Sequence, residues 1–80
     1  MTGLTLRQDH LLDAICELVK AKGTSMVTFS EIWEINHKLG APKQRTTRAD
    51  IKTLRKLNLL TPQGPDHAQR YQPTRRAQRR

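Results

Sequence analysis

The stretch Pro42–Leu60, PKQRTTRADIKTLRKLNLL, decides how the rest of this chain is read. At about 100° per residue, Thr47, Ile51, Leu54 and Leu57 gather on one side of a helix, and Gln44, Arg45, Arg48, Lys52 and Arg55 gather on the other. The first side is a stripe that a small domain can bury against other helices. The second then stands outward as a positive ridge of long, fork-tipped donors. Pro42 suits a first helical turn and Asn58 tolerates a left-handed backbone, so the helix is expected from Pro42 or Lys43 to Leu57.

Upstream, Gly40-Ala41-Pro42 makes a turn of the length that joins two helices. The helix before it begins at a capping box, Thr28-x-x-Glu31, continues through Ile32, Trp33, Ile35 and Leu39, and stops near Gly40. A lone Trp at this spacing is more often core than a partner platform. Lys38 and His37 near its end complement the helix dipole, and Lys38 could also touch a phosphate. The first helix has a second such box, Thr5-x-x-Gln8, then Leu11, Leu12, Ile15, Leu18 and Val19 on one face, and Gly23 as terminator. Asp9, Asp13 and Glu17 fall on its other faces and read as solvated surface. Thr24–Val27 is either a connector or the first strand of a small sheet.

Downstream, 59–63 and 69–73 are short extended runs around the turn residues Gly64-Pro65-Asp66-His67-Ala68. Pro62 and Pro73 cannot donate to a ladder, which fits a two-stranded edge hairpin and argues against a central strand. The fold expected is mostly α with a small β-hairpin: a winged helix-turn-helix of three helices plus a wing over residues 1–73. Residues 74–80, TRRAQRR, have four arginines and no apolar periodicity, so a basic disordered tail is expected there.

Composition narrows the function. Eighty residues with 35% hydrophobic content support one modest core, in which no substrate-sized cavity is expected. Cys16 is the single cysteine and reads as a core filler; with it alone, intrachain disulfides and multi-thiolate metal sites are excluded. The three histidines show no ligand spacing, and no Gly-rich phosphate loop, nucleophile elbow or paired-carboxylate pattern occurs. No catalytic residue, metal site or cofactor is therefore expected. The apolar runs are too short to span a membrane and the start lacks a secretory layout, so the expected location is cytoplasmic, with nucleoid association in a prokaryote.

Charge is uneven. Residues 1–40 carry four basic against five acidic side chains, a balance of −1, and residues 41–80 carry eleven against two, a balance of +9. A basic half of this kind favours a polyanion, since each neutralised phosphate releases counterions. Together with the ridge, this points to double-stranded DNA as partner. Gln44, Arg45, Arg48 and Lys52 are then expected to face the major groove, with Thr46 on a thymine methyl or phosphate. Lys43, Arg55, Lys56, Arg70, Arg75 and Arg76 are expected on the backbone. Winged helices often act as dimers on paired half-sites, so a homodimer on DNA is one arrangement open to the chain, although no heptad seam or extra dimerisation helix is visible.

Over residues 4–73 the chain resembles the N-terminal DNA-binding domain of the LexA repressor family. The resemblance is carried by Leu4-Thr5-x-Arg7-Gln8, by Leu11, Leu12, Asp13, Ile15, Val19 and Gly23, by Thr28-x-x-Glu31-Ile32, by Leu39-Gly40, and by Ile51-Lys52-x-Leu54. It implies a winged helix-turn-helix whose third helix enters the major groove. Helix two is about one turn longer here, by roughly three residues. Where that family presents an Asn and acidic side chains to bases, this chain has Arg45, Arg48 and Ala49, so a different site with guanine-directed arginines is expected. No Ser-Lys self-cleavage domain lies within these residues, so the family's autoproteolytic switch is not expected of them. The competing reading is a winged-helix module that docks on an acidic protein partner, with Trp33 and Tyr71 as its anchors. RNA binding is the weaker third reading, because stacking aromatics are scarce.

Overall fold

The structure, a computed structural model, describes residues 3–65 and 68–78. Helix α1 (Leu6–Lys22) starts where the first capping box places it. Thr5 Oγ1 accepts from the Gln8 N–H at 3.1 Å, and Gln8 Oε1 accepts from the Thr5 N–H at 3.1 Å. Gly23, at φ +67°, ends the helix in the left-handed region that a side chain would strain. Strand β1 (Val27–Thr28) follows, so the open reading of residues 24–27 resolves as a connector running into a two-residue strand. Thr28 then caps helix α2 (Phe29–Lys38): its Oγ1 accepts from the Glu31 N–H at 3.2 Å while Glu31 Oε1 accepts from the Thr28 N–H at 2.9 Å. Glu31 also pairs with Lys22, which joins the end of α1 to the start of α2. That pair, and then the Thr28 N–H, hold the Glu31 carboxyl below its ordinary pKa.

The 39–43 turn leads into helix α3 (Gln44–Lys56), and Ala41 is buried in it, its N–H donating to the Asn36 carbonyl at 3.0 Å. Asn58, at φ +60°, turns the chain out of α3, and the Leu59 N–H closes on the Leu54 carbonyl at 2.8 Å. Strands β2 (Leu60–Gln63) and β3 (Arg70–Pro73) form the expected hairpin. Its turn residues Asp66 and His67 lie outside the described residues.

The sheet, however, has three antiparallel strands in the order β1-β3-β2, so the return strand is central and not an edge. Pro73 is tolerated there because β1 reaches only Arg70 and Tyr71, which leaves the position of its missing N–H outside the β1 ladder. Leu60, Pro62, Tyr71 and Pro73 share the face turned to the helices; Thr61, Gln63, Arg70 and Gln72 share the other.

Beneath that face, Leu11, Leu12 and Ile15 of α1 pack with Ile32, Ile51 and Leu54. Cys16 sits half-buried against this core, and burial pushes its thiol above the ordinary value. Trp33 departs from the expected core position: it is half-buried outside the cluster, with its ring 4.9 Å from that of His37. The expected disordered tail is also corrected over its described part, 74–78; Arg79 and Arg80 lie outside the described residues. Arg75–Gln78 form a short helix, α4, because Thr74 serves two neighbours. Its Oγ1 donates to the Asn58 carbonyl at 2.6 Å and accepts the Ala77 N–H at 3.3 Å, and Ala77 enters the core. None of the helices among the described residues is long and apolar enough to cross a membrane.

Candidate nucleic-acid interface

One side of α3 is buried through Thr47, Asp50, Ile51 and Leu54, which leaves Gln44, Arg45, Arg48, Lys52, Arg55 and Lys56 exposed on the other. Among the described residues the ion pairs are Arg7–Asp50 and Lys22–Glu31, and neither uses an outward cation of α3. No carboxylate among the described residues neutralises the positive field of the ridge. Lys43 stands at the N-cap, exposed and without a side-chain cap bond, and no acidic residue occupies the first turn. The first backbone N–H groups and the positive end of the helix dipole therefore add to the charge of Lys43 and Arg45. Thr46 is half-buried at the side of the ridge, and its N–H is bonded to the Lys43 carbonyl at 3.1 Å.

Between α3 and strand β3 runs an open groove of about 500 Å³. Its floor is apolar, from Phe29, Ile51 and Tyr71, and its rim carries Arg48, Lys52 and Arg55. Arg48 lies with its guanidinium carbon 5.0 Å from the centroid of the Phe29 ring, a cation–π contact. Towards the C-terminal end of α3 a second depression of about 440 Å³ continues between Lys52, Arg55 and Lys56 and the β2 residues Thr61 and Pro62. The two depressions share Lys52 and Arg55 and lie between the α3 ridge and the hairpin.

The structure does not gather all the expected residues there. Arg70 is exposed on the far face of the sheet, opposite Thr28, where it lines a hollow with Lys22 and Glu31. Arg75 and Arg76 are exposed on α4, and Arg75 borders a separate depression with Thr61, Gln63 and Gln72. The candidate interface is therefore α3 and its groove, with those three arginines around it.

Beneath the ridge lies a polar knot that the sequence reading missed. Asp50, only 3% exposed, accepts four hydrogen bonds. Arg7 Nη2 spans both carboxylate oxygens at 3.1 and 3.0 Å, Gln8 Nε2 donates to Oδ1 at 2.9 Å, and Asn36 Nδ2 donates to Oδ2 at 2.8 Å. Asn36 also donates to Thr47 Oγ1 at 3.0 Å. One carboxylate on α3 is thereby fastened to the start of α1 and to the end of α2, which fixes the rotation of α3 about its own axis. Arg7 Nε and Asn36 Oδ1 are buried without a partner among the described residues. Phe29 was missed as well: it directly follows the cap residue Thr28, on the same stripe of α2 as Ile32 and Trp33, and only the folded chain brings it to Arg48. Comparison of the chain with known protein families, with curated proteins and with solved structures gives no match.

Proposed function

We propose that this chain is a winged helix-turn-helix that binds double-stranded DNA sequence-specifically, with α3 in the major groove and the β2–β3 hairpin as its wing, as a small transcriptional regulator does. The observation that carries the reading is the ridge on α3. Its cations have no carboxylate partner among the described residues, they stand on a helix whose other side is anchored in the core, and Arg48, Lys52 and Arg55 among them border a groove shared with the hairpin. The element order α1-β1-α2-α3-β2-β3 and the sheet order β1-β3-β2 support the winged-helix assignment. In this reading Arg45 and Arg48 meet the O6 and N7 edge of guanine, Gln44 and Lys52 face the major groove beside them, and Lys43, Arg55 and Lys56 hold phosphates. A protein-docking module is the less favoured role, because its expected anchors Trp33 and Tyr71 are both half-buried.

The experiment is selection from a randomised duplex pool at low and near-physiological salt. Recovery of a guanine-containing motif that survives the higher salt is the expected result. A pool that stays random, with binding that fades as salt rises, contradicts direct readout.

A further inference from the structure

We infer that Phe29 is a specificity-determining positioning residue, which holds Arg48 ready for a guanine edge; this rests on the DNA-binding reading above. The ring has a fixed origin. Phe29 is the first residue of α2, next to Thr28, which is held both by its capping box and by pairing opposite Arg70 in the sheet. The ring also packs partly against the core, so it forms a stationary platform at the edge of the groove. Arg48 lies over it at 5.0 Å and has no ion pair among the described residues.

The chemistry of the contact matters. An aromatic face attracts the guanidinium charge and takes up none of its strong hydrogen-bonding capacity, so the N–H donors remain available to an incoming O6 and N7 pair. A carboxylate at the same place would compete for those donors and cancel the charge. Immobilising a free arginine on binding costs roughly 0.5–1.5 kcal/mol of side-chain freedom, and an arginine already held by a ring loses less. Of the outward cations of α3, Arg48 is the one with a ring contact among the described residues. Such preorganisation suits a base-reading role better than a phosphate-holding one.

The test compares affinities of the wild type, Phe29→Leu, Phe29→Tyr, Arg48→Ala and the Phe29→Leu/Arg48→Ala double variant for a selected guanine-containing duplex and for a random duplex. Phe29→Leu is expected to lower the ratio of the two affinities by about two- to tenfold. Phe29→Tyr, which retains a ring, restores the ratio, and Phe29→Leu adds nothing once Arg48 is gone. If Arg48→Ala loses the preference while Phe29→Leu keeps it, the inference is overturned and DNA reading by α3 stands. If the wild type itself shows no preference, the DNA-binding reading fails first. Should Phe29→Leu not fold, proton NMR of the wild type decides: the Arg48 side-chain protons are expected upfield from the ring current. Random-coil positions for those protons overturn the contact.

Discussion

The two sides of α3 treat polar groups in opposite ways. Outward, its cations meet solvent, and none is neutralised by a carboxylate among the described residues. Inward, a single carboxylate, Asp50, is shut away and matched by donors from two other helices. A solvated charge costs the fold little and stays available to a partner. A buried one has to be neutralised where it lies, or the helix cannot pack. What neutralises a polar residue therefore separates those that hold the fold from those offered to a ligand.

The largest effect is expected from breaking the inner side. Asp50→Ala takes the carboxylate from Arg7 and Gln8 and leaves Asn36 with Thr47 alone of its two acceptors, and should cost about 3–5 kcal/mol in urea unfolding, as loss of one partner of a buried pair does. Replacing Arg7, Asn36 and Asp50 together by apolar residues of similar volume should cost far less, or stabilise by about 1–4 kcal/mol, since the desolvation penalty goes with the pair. Losses in the triple variant as large as in Asp50→Ala would show that the knot is a net source of stability, beyond its role in orienting α3.

On the outer side the same kind of truncation moves a different quantity. Arg48→Ala should weaken binding to a preferred duplex by about 1–3 kcal/mol. Its folding stability should change by only about 0.5–1 kcal/mol, the worth of an exposed cation–π contact. Equal weakening on preferred and random duplexes would instead make Arg48 a phosphate contact.

Much of this arrangement was legible because it is local chemistry. The capping boxes at Thr5 and Thr28, the terminators Gly23 and Asn58, and the amphipathic split of α3 involve residues a few positions apart. The knot was not, although one sign of it was present: on the helix Asp50 falls in the same arc as Thr47 and Leu54. By sequence Asp50 enters only the charge balance of residues 41–80, because its donors Arg7 and Gln8 lie 43 and 42 positions away. The pairing of β1 with β3 was hidden for the same reason, and so was the meeting of Phe29 with Arg48. At residues 74–78 the basic composition masked a helix start, Thr74, followed by one apolar side chain, Ala77, that the core accepts.

Smaller effects refine the frame around α3. Thr74→Ala removes the α4 cap and its bond to Asn58, and should cost about 1 kcal/mol, with Ala77 released from the core. The least is expected from acid. The Glu31 pKa is depressed in the folded chain, so its contribution is present above the ordinary carboxyl range and is lost as pH falls through the folded value. Stability measured on descending pH should therefore decline in that region, and Glu31→Gln should flatten the decline. An unchanged acid limb in Glu31→Gln would assign the decline to other carboxylates.

The contrast between the two sides of α3 is tested most directly by amide NMR of the labelled protein, titrated with a selected duplex at near-physiological salt. Shifts are expected to concentrate at Lys43–Lys56 and around Gln69–Tyr71, while the outer face of α1 at Asp13 and Glu17 stays unmoved. Shifts centred on α1 or on Trp33, with α3 silent, would contradict that contrast.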